Sequence, residues 1–269
     1  MVSGADCVGR DGGRARDSPL GRGRVSVPQR RPGGGLPARI GDRRRRTKRR
    51  GGRNAAAHTL GRDPVRGNPP LGFSLDVDRR HPYLARRGID DATASYFGVG
   101  YFSGRGLMRG RVAIPIHDDQ GRLVAYCGRT VEAGDPRYRF PAGFQKSQVL
   151  FNYHRACVAA GDRVIVVEGF FDCMRVHQAG FAGVVALMGA RLSASQQELL
   201  TSRFSKIVLL LDGDATGRTA TAQIAVDLAS ASDVTELLLP PGVQPDQMAA
   251  DRIRRVLGER EKSQGIGTN

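Results

Sequence analysis

The chain has 269 residues, of which 40% are hydrophobic, and carries 42 Lys and Arg against 26 Asp and Glu. This composition is that of a folded protein of one to three domains, and no stretch approaches the roughly 20 apolar residues that a membrane span requires. The opening residues, MVSGADCVGRDGG, lack the apolar segment of a secretory signal, so we expect a cytoplasmic protein. The formal net charge of +16 favours a polyanionic partner.

The positive charge is concentrated in the first quarter of the chain. Residues 1–70 contain 18 Lys and Arg against 5 Asp and Glu, and residues 43–50 read RRRRTKRR. Because this segment is rich in Gly and Pro and has no periodic apolar pattern, residues 1–74 are predicted to form a disordered basic arm. Such an arm can bind nucleic-acid phosphates. A solvated tail, or a segment that is not a natural part of the protein, would have the same composition.

Residues 75–157 are predicted to form a small α+β lobe. A short helix is expected around Asp90 to Tyr96. Residues 111–129, RVAIPIHDDQGRLVAYCGR, contain two apolar runs joined by HDDQGR, whose Asp and Gly residues suit a hairpin turn.

From about residue 158 the pattern changes to short apolar strands that alternate with segments of helical period. Because the strands are apolar throughout, we expect a parallel sheet that is buried on both faces and covered by helices. Ser193 and Gln196 form a predicted capping box, and Gly180 suits the end of the preceding helix. The predicted strands are Val164–Val167, Val184–Met188, Ile207–Leu211 and Thr235–Leu239.

Acidic residues follow two of these strands directly. Residues 164–172 read VIVVEGFFD and residues 209–218 read LLLDGDATGR, so Glu168, Asp212 and Asp214 are expected at the same edge of the sheet. Converging carboxylates repel one another unless a cation neutralises them, and oxygen ligands select Mg²⁺ or Mn²⁺.

The Asp-Gly pair also suits a simple hairpin turn, which is the structural alternative for these acids. A helical pattern follows the pair and disfavours the hairpin. That pattern is carried by Ile224, Ala225, Leu228 and Ala229.

Together, VVEGFFD and LLLDGDATGR resemble the Toprim domain of DnaG-type bacterial and phage primases. Toprim domains also occur in other enzymes of nucleic acids, but further segments are similar, in order, to the primase catalytic core over about residues 80–250. The resemblance implies a Toprim domain at residues 158–262, with the α+β lobe as the N-terminal part of the core. These further segments are HPYLARRGIDDATASYFGVGYF, RVAIPIHDDQGRLVAYCGR, PRYRFPAGFQKSQVLFN and MGARLSASQ.

The resemblance implies a nucleotidyltransferase that makes RNA primers on single-stranded DNA with Mg²⁺ or Mn²⁺. Glu168 would be a metal ligand or general base, Asp172 would complete its E-G-x-x-D motif, and Asp212 and Asp214 would bind metal. The partners implied are a DNA template, NTPs and a replicative helicase. The basic residues that would line the groove for template and nucleotide are Arg87, Arg111, Arg129, Arg137 and Lys146. The residues that would support the two motifs are Gly169, Gly213, Gly217 and Arg218.

The loop LPPGVQPDQM follows the fourth predicted strand and would bring Asp246 to the same edge as a further metal ligand. In similar primases this loop tends to read Asp-Pro-Asp, whereas here Gln244 takes the first position. An amide offers a cation one oxygen but no charge, so we expect weaker binding of the outermost metal. The alternative is a surface turn before a helix, with Pro245 near its start.

The sequence also departs from the family in its flanking parts. Cysteines occur at positions 7, 127, 157 and 173 without the spacing of a zinc site, so we expect reduced thiols and no zinc ribbon. No helicase-interacting domain is recognisable after the core. Two other functions therefore stay open: a Toprim nuclease of a mobile element, and a non-catalytic nucleic-acid-binding remnant.

Overall fold

A computed structural model describes residues 67–132 and 134–264, with side chains up to residue 258. The predicted basic arm lies outside these residues as far as residue 66. Within the described ranges, no helix has the length and apolarity needed to span a membrane.

The described chain contains seven α-helices, eight strands and two short 3₁₀ helices. The helices are α1 (Pro82–Arg86), α2 (Asp91–Phe97), α3 (Tyr153–Ala159), α4 (Phe170–Gln178), α5 (Ala194–Arg203), α6 (Ala215–Leu228) and α7 (Ala250–Gln264). The strands are β1 (Gly100–Phe102), β2 (Arg111–His117), β3 (Leu123–Thr130), β4 (Tyr138–Arg139), β5 (Arg163–Val167), β6 (Val184–Ala186), β7 (Lys206–Leu209) and β8 (Asp233–Glu236). The 3₁₀ helices are Lys146–Gln148 and Pro245–Gln247.

The first four strands form an antiparallel sheet in the order β1-β2-β3-β4. The predicted hairpin is confirmed, since β2 pairs with β3 from Arg111 opposite Thr130 onwards. The carboxylate of Asp118 holds the turn, because it accepts hydrogen bonds from the backbone N–H groups of Gln120 and Arg122 at 3.1 and 2.8 Å. The predicted helix near Asp90 is α2, and the Asp90 side chain caps it.

Residues 67–74, which were assigned to the arm, contact this antiparallel sheet. The amide and carbonyl groups of the Asn68 side chain both bond to the backbone of Gln145. The backbone N–H of Leu71 donates to the carbonyl of Leu123 at 2.7 Å, and Leu71 packs against a buried cluster under the sheet. Asn68 and Leu71 therefore attach this segment to the folded part of the chain.

The last four strands form a parallel sheet in the order β6-β5-β7-β8, which confirms the predicted α/β class. The first three strands are buried, as expected. The fourth prediction needs correction, because β8 spans Asp233–Glu236 and is partly exposed. It pairs only with β7, all four of its residues are exposed or half-buried, and Leu238 just beyond it is 64% exposed.

One face of the parallel sheet shares a hydrophobic core with the antiparallel sheet. Ile114 and Ile116 of β2 lie in the same buried cluster as Ile165 and Val167 of β5, together with residues of α4 and α7. The opposite face packs against α3, α5 and α6. The two sheets are thus held together by one continuous apolar core, which fixes the position of one sheet relative to the other.

The helix signals read from the sequence are confirmed. In the capping box of α5, the Ser193 hydroxyl accepts the N–H of Gln196 at 3.2 Å, and the Gln196 side chain accepts the N–H of Ser193 at 3.1 Å. The Gln196 amide also donates to the carbonyls of Val149 and Leu187. Gly180 follows α4 with a φ of +107°, a conformation that favours glycine.

Replacing Ser193 by Ala should lower the free energy of unfolding by about 1 kcal/mol, because it removes the cap of α5. Chemical denaturation monitored by circular dichroism measures the change. Ser195→Ala is the matched control: Ser195 is exposed in the first turn of the same helix, and its loss should change stability by less than about 0.5 kcal/mol. Equal losses in both variants would contradict the capping role.

Candidate active site

The first motif lies in the sharp turn between β5 and α4. Glu168 follows the end of β5, and Gly169 precedes the first residue of α4. The buried carboxylate of Asp172 turns back and accepts the N–H of Gly169 at 2.9 Å. A Cβ at position 169 would lie 2.8 Å from that carboxylate oxygen, so a larger residue would have to displace the carboxylate of Asp172. Asp172 therefore positions the loop that carries Glu168.

The second motif connects β7 to α6 and also depends on glycines. A Cβ at Gly213 would lie 2.1 Å from the carbonyl oxygen of Pro240, and one at Gly217 would lie 2.1 Å from that of Asp212. Asp214 caps α6 by accepting the N–H of Gly217 at 2.7 Å. Asp212 and Asp214 thus leave a strand–helix turn, and the hairpin alternative is wrong.

The loop after β8 is bound to both motifs. The N–H of Gly213 donates to the carbonyl of Val243 at 2.8 Å, and the N–H of Asp246 donates to the carboxylate of Asp172 at 3.0 Å. Arg218 donates to the carbonyl of Gly213 at 2.8 Å and supports the turn from the other side. These hydrogen bonds hold the three acidic loops at one edge of the parallel sheet.

Burial, and after it the charges of neighbouring carboxylates, raises the pKa values of three acids at this edge. Burial, followed by the charges of Asp246 and Asp212, raises the pKa of Asp172 to about 7. Burial followed by the charges of Glu168, Asp214 and Asp246 raises the pKa of Asp212 to about 7. The pKa of Glu168 is raised by burial, Asp172 and Asp214, against the opposing effect of Lys146. The five acids therefore act on one another electrostatically.

Two carboxylate oxygens at this edge are buried without a hydrogen-bond partner, namely Oδ1 of Asp212 and Oδ1 of Asp246. Buried anionic oxygens without donors are costly, and a divalent cation is the partner that oxygen-rich sites of this kind accept. Within residues 67–132 and 134–264, no three His, Cys, Asp or Glu side chains are already gathered closely enough to hold a metal ion. The donor set fits Mg²⁺ or Mn²⁺ chemically, but the side chains must reorient to bind it together.

Two neighbouring side chains bind the carboxylates of Asp212 and Asp246. The Nε2 group of Gln244 donates to Oδ2 of Asp212 at 2.6 Å, and the weaker binding of the outermost metal that its neutral amide implies stays a prediction. The other oxygen of Asp246 forms an ion pair with Arg87. Asp246 lies at the predicted edge, and its role as a metal ligand stays a prediction.

The predicted basic residues lie in different environments. The Lys146 ammonium donates to the carbonyl of Met188 at 2.9 Å and lies close enough to Glu168 to lower its pKa. Arg129 is only 9% exposed, and its guanidinium lies 4.8 Å from the centre of the Tyr138 ring. No hydrogen bond or ion pair reaches this guanidinium from the described residues.

The other three basic residues differ in exposure and in partners. The Arg87 guanidinium lies 4.7 Å from the centre of the Phe171 ring, beside Asp246. Arg111 donates to the carbonyls of Gly128 and Pro136 and holds the loop between β3 and β4, while Arg137 is exposed. The structure thus brings Arg87 and Lys146 to the acidic edge and gives Arg111 a structural bond.

Sequence reasoning missed two residues that organise the edge. Met188 adopts a φ of +62°, which is uncommon for a side chain of this kind, and its carbonyl binds Lys146. Arg175 donates to the carbonyls of Gly88 and Met248 and joins the end of α1 to the loop after β8. Nothing in the sequence around Met188 signals this conformation, whereas Arg175 was visible as a charged residue on a largely buried helix.

Comparison with protein families yields two matches. The model for the DNA primase catalytic core, N-terminal domain, matches residues 104–157, and the Toprim domain model matches residues 162–237. The chain is 32% identical over 190 residues to the DNA primase of Staphylococcus aureus strain COL, covering 66% of this chain and 32% of that protein. It is 32% identical over 195 residues to the DNA primase of Staphylococcus epidermidis, covering 67% and 31%. The chain therefore spans about a third of the length of these curated relatives.

Solved structures of primases are similar as well. The zinc-binding and RNA polymerase domains of Aquifex aeolicus primase align with a TM-score of 0.59 and 29% identity, covering 66% of this chain and 55% of that one. A DNA primase domain from Pseudomonas aeruginosa aligns with a TM-score of 0.56 and 26% identity, covering 68% and 74%. The RNA polymerase domain of Mycobacterium tuberculosis primase DnaG, in complex with a double-stranded DNA oligomer with a 6-nucleotide overhang, aligns with 0.55 and 25%, covering 68% and 74%. The resemblance found in the sequence is confirmed.

Removing one charge from the edge should stabilise the protein when no divalent ion is present. The folded state raises the pKa of Asp212 from 3.8 to about 7, so its contribution to stability is present below about pH 4 and is lost as the pH rises through about 7. Asp212→Asn should therefore melt about 2–4 °C higher than wild type at about pH 8 in a chelator, the shift for about 1 kcal/mol in a chain of this size. The difference should shrink at about pH 5, where the wild-type carboxyl holds a proton.

Differential scanning calorimetry measures this effect. Asp233→Asn is the control, because Asp233 is exposed on the edge strand β8 and outside the acidic cluster. A lower melting temperature for Asp212→Asn at both pH values would mean that Asp212 supports the turn and does not crowd the acidic edge.

Proposed function

We propose, from the DnaG-type primase catalytic core and Toprim domain that this chain carries, that it joins ribonucleotides on a single-stranded DNA template with Mg²⁺ or Mn²⁺. The observation that carries the proposal is the acidic edge, where Glu168, Asp212 and Asp214 leave two neighbouring strands of the parallel sheet. An edge of this kind suits the transfer of a nucleotidyl group, because the reaction needs its phosphate charge neutralised.

Bound divalent ions would supply positive charge for the triphosphate of the incoming nucleotide and acidity for the primer 3′-hydroxyl. Asp212 and Asp214 would hold the ions. Oδ1 of Asp212 has no hydrogen-bond partner among the described residues, so this oxygen would be available to bind an ion. Glu168 has a raised pKa and would accept the hydroxyl proton or complete the metal shell. Asp172 would keep its structural role, since both of its oxygens already bind backbone N–H groups.

Basic side chains would bind the nucleotide and template. The buried Arg129 guanidinium has no anionic partner among the described residues, and a phosphate group would provide one. Lys146 stands beside Glu168, and its ammonium would contact a phosphate near the reacting atoms. Arg111 and Arg137 would extend the basic surface along β2 and the loop before β4.

The partners proposed are single-stranded DNA and NTPs, with a replicative helicase as a further one, and the expected compartment is the cytoplasm. The DNA bound in the Mycobacterium tuberculosis DnaG structure supports the template proposal. The basic segment of residues 1–66 would add sequence-independent phosphate contacts. A Toprim nuclease would use the same ions, but the match to the N-terminal primase domain favours polymerisation.

Asp212→Asn should abolish Mg²⁺-dependent incorporation of labelled NTPs on single-stranded DNA, a loss of at least about 100-fold, because it removes an anionic ligand without changing shape. Gel analysis of the products measures this loss. Asp233→Asn should retain wild-type synthesis. Near wild-type synthesis by Asp212→Asn at saturating Mg²⁺ would overturn the metal assignment, and Mg²⁺-dependent strand cleavage by the wild type would favour the nuclease. Template binding without any turnover in the wild type would favour a non-catalytic remnant.

Deleting residues 1–66 should weaken binding to single-stranded DNA and flatten its salt dependence. Each lost phosphate contact lowers the slope of log K against log salt by about 0.7 for a single strand. Fluorescence anisotropy at several salt concentrations measures the slope, and synthesis per bound complex should change little. A slope equal to that of the full chain would show that the segment makes no contribution to binding.

A further inference from the structure

Two histidines lie next to each other where the hairpin of the antiparallel sheet meets α3. His117 is the last residue of β2, and His154 lies in the first turn of α3. Their ring centres are 4.8 Å apart and the ring planes are inclined by 50°. Both side chains are half-buried, and Gly121 of the hairpin turn lies against His154. Because α3 packs on the parallel sheet, this pair joins the turn of one sheet to a helix of the other.

The imidazole nitrogens of this pair have little to bind in the protein itself. Nδ1 of His154 is buried without a hydrogen-bond partner. Among the described residues, the His117 ring contacts His154, and no hydrogen bond reaches its side chain. The pair therefore has ring nitrogens that are available to an external ligand.

Both rings are also neutral at neutral pH. Burial, followed by the charges of Arg155 and His117, lowers the pKa of His154 to about 4, against the opposing charge of Asp118. Burial and Arg155 likewise lower the pKa of His117, again against Asp118. A neutral imidazole keeps the lone pair with which histidine binds a metal ion.

The spacing of the two rings suits one ion that is bound by both. An imidazole nitrogen binds Zn²⁺ at about 2.0–2.1 Å, which places the ion about 3.2 Å from the centre of the ring. Two ring centres that are 4.8 Å apart then subtend an angle of about 100° at the ion. This angle is close to the tetrahedral geometry that zinc prefers.

The chemistry of the pair differs from that of the acidic edge. Imidazole ligands suit zinc, copper and nickel, whereas carboxylates and water suit Mg²⁺. Since no three His, Cys, Asp or Glu side chains of the described chain are gathered closely enough to hold a metal ion, water would complete the coordination. The charge of Arg155 opposes a cation here, and that of Asp118 favours one.

We propose that His117 and His154 bind a divalent transition ion of the zinc type, which holds the hairpin turn against α3. The ion stabilises the junction between the two sheets, because its ligands come from elements that belong to different sheets. α3 is also the helix that precedes β5, the strand that ends at the Glu168 turn. The inference concerns metal binding alone and stands independently of the proposed polymerisation.

Titration of Zn²⁺ into the full chain by calorimetry, with Mg²⁺ in excess, tests the site. His117→Asn and His154→Asn should each weaken Zn²⁺ binding about tenfold or more, because each removes one of two protein ligands. His177→Asn is the matched control, since His177 is a half-buried histidine whose ring contacts Tyr96 and Phe97 and no second imidazole. It should bind Zn²⁺ like the wild type.

Zn²⁺ at a hundredfold excess over its dissociation constant should raise the melting temperature of the wild type by about 5 °C, because the ion binds the folded state. Scanning calorimetry measures this rise, which should disappear in His117→Asn. Wild-type binding of Zn²⁺ by His117→Asn would overturn the site even if His154→Asn failed to fold, and so would a wild type that binds no Zn²⁺. Asp212→Asn should keep the binding, and its loss there would assign Zn²⁺ to the acidic edge and overturn the proposal.

Discussion

The arrangement of the candidate active site depends on the buried carboxylate of Asp172. One of its oxygens accepts the N–H of Gly169 and the other accepts the N–H of Asp246, so a single side chain connects the loop after β5 to the loop after β8. The loop after β7 joins them through the hydrogen bond from Gly213 to Val243. Because both oxygens are engaged with backbone donors, Asp172 serves the geometry of the edge.

This organisation concentrates negative charge where the sheet ends. Asp172 and Asp212 have pKa values of about 7 because burial and neighbouring carboxylates disfavour their charged forms. The negative charge at this edge is thus only partly compensated by neighbouring side chains. Gln244 donates to Asp212, and Arg87 pairs with Asp246. A cation that binds Asp212 and Asp246 must compete with these two contacts. Metal binding is therefore linked to movement of the Gln244 amide and the Arg87 guanidinium.

The antiparallel sheet contributes to the site by position. Its strands share a hydrophobic core with β5 and α4, so Arg129 and Tyr138 are held next to the aromatic start of α4. The pKa of Tyr138, which burial raises to about 12, is affected by both Arg129 and Asp172. The buried Arg129 of one sheet and the acidic edge of the other are therefore parts of one structure.

The sequence by itself determined the local and periodic features of this protein. The first three strands of the parallel sheet, the capping box at Ser193 and the hairpin at Asp118 depend on neighbours within a few residues, and these appear close to where they were predicted. The Glu168 and Asp212 motifs were recognisable for the same reason, since the glycines beside them meet steric needs of the turns.

Only the tertiary structure determined which side chains distant in sequence pair with each other. Arg87 pairs with Asp246 across 159 residues, and Gln244 reaches Asp212 with its amino group. The exposure of β8 likewise depends on which elements pack against it, whereas the sequence of the fourth predicted strand indicated a buried strand. Such choices depend on packing and on competition between charges across the whole core, and no periodicity or short motif in the chain records that competition.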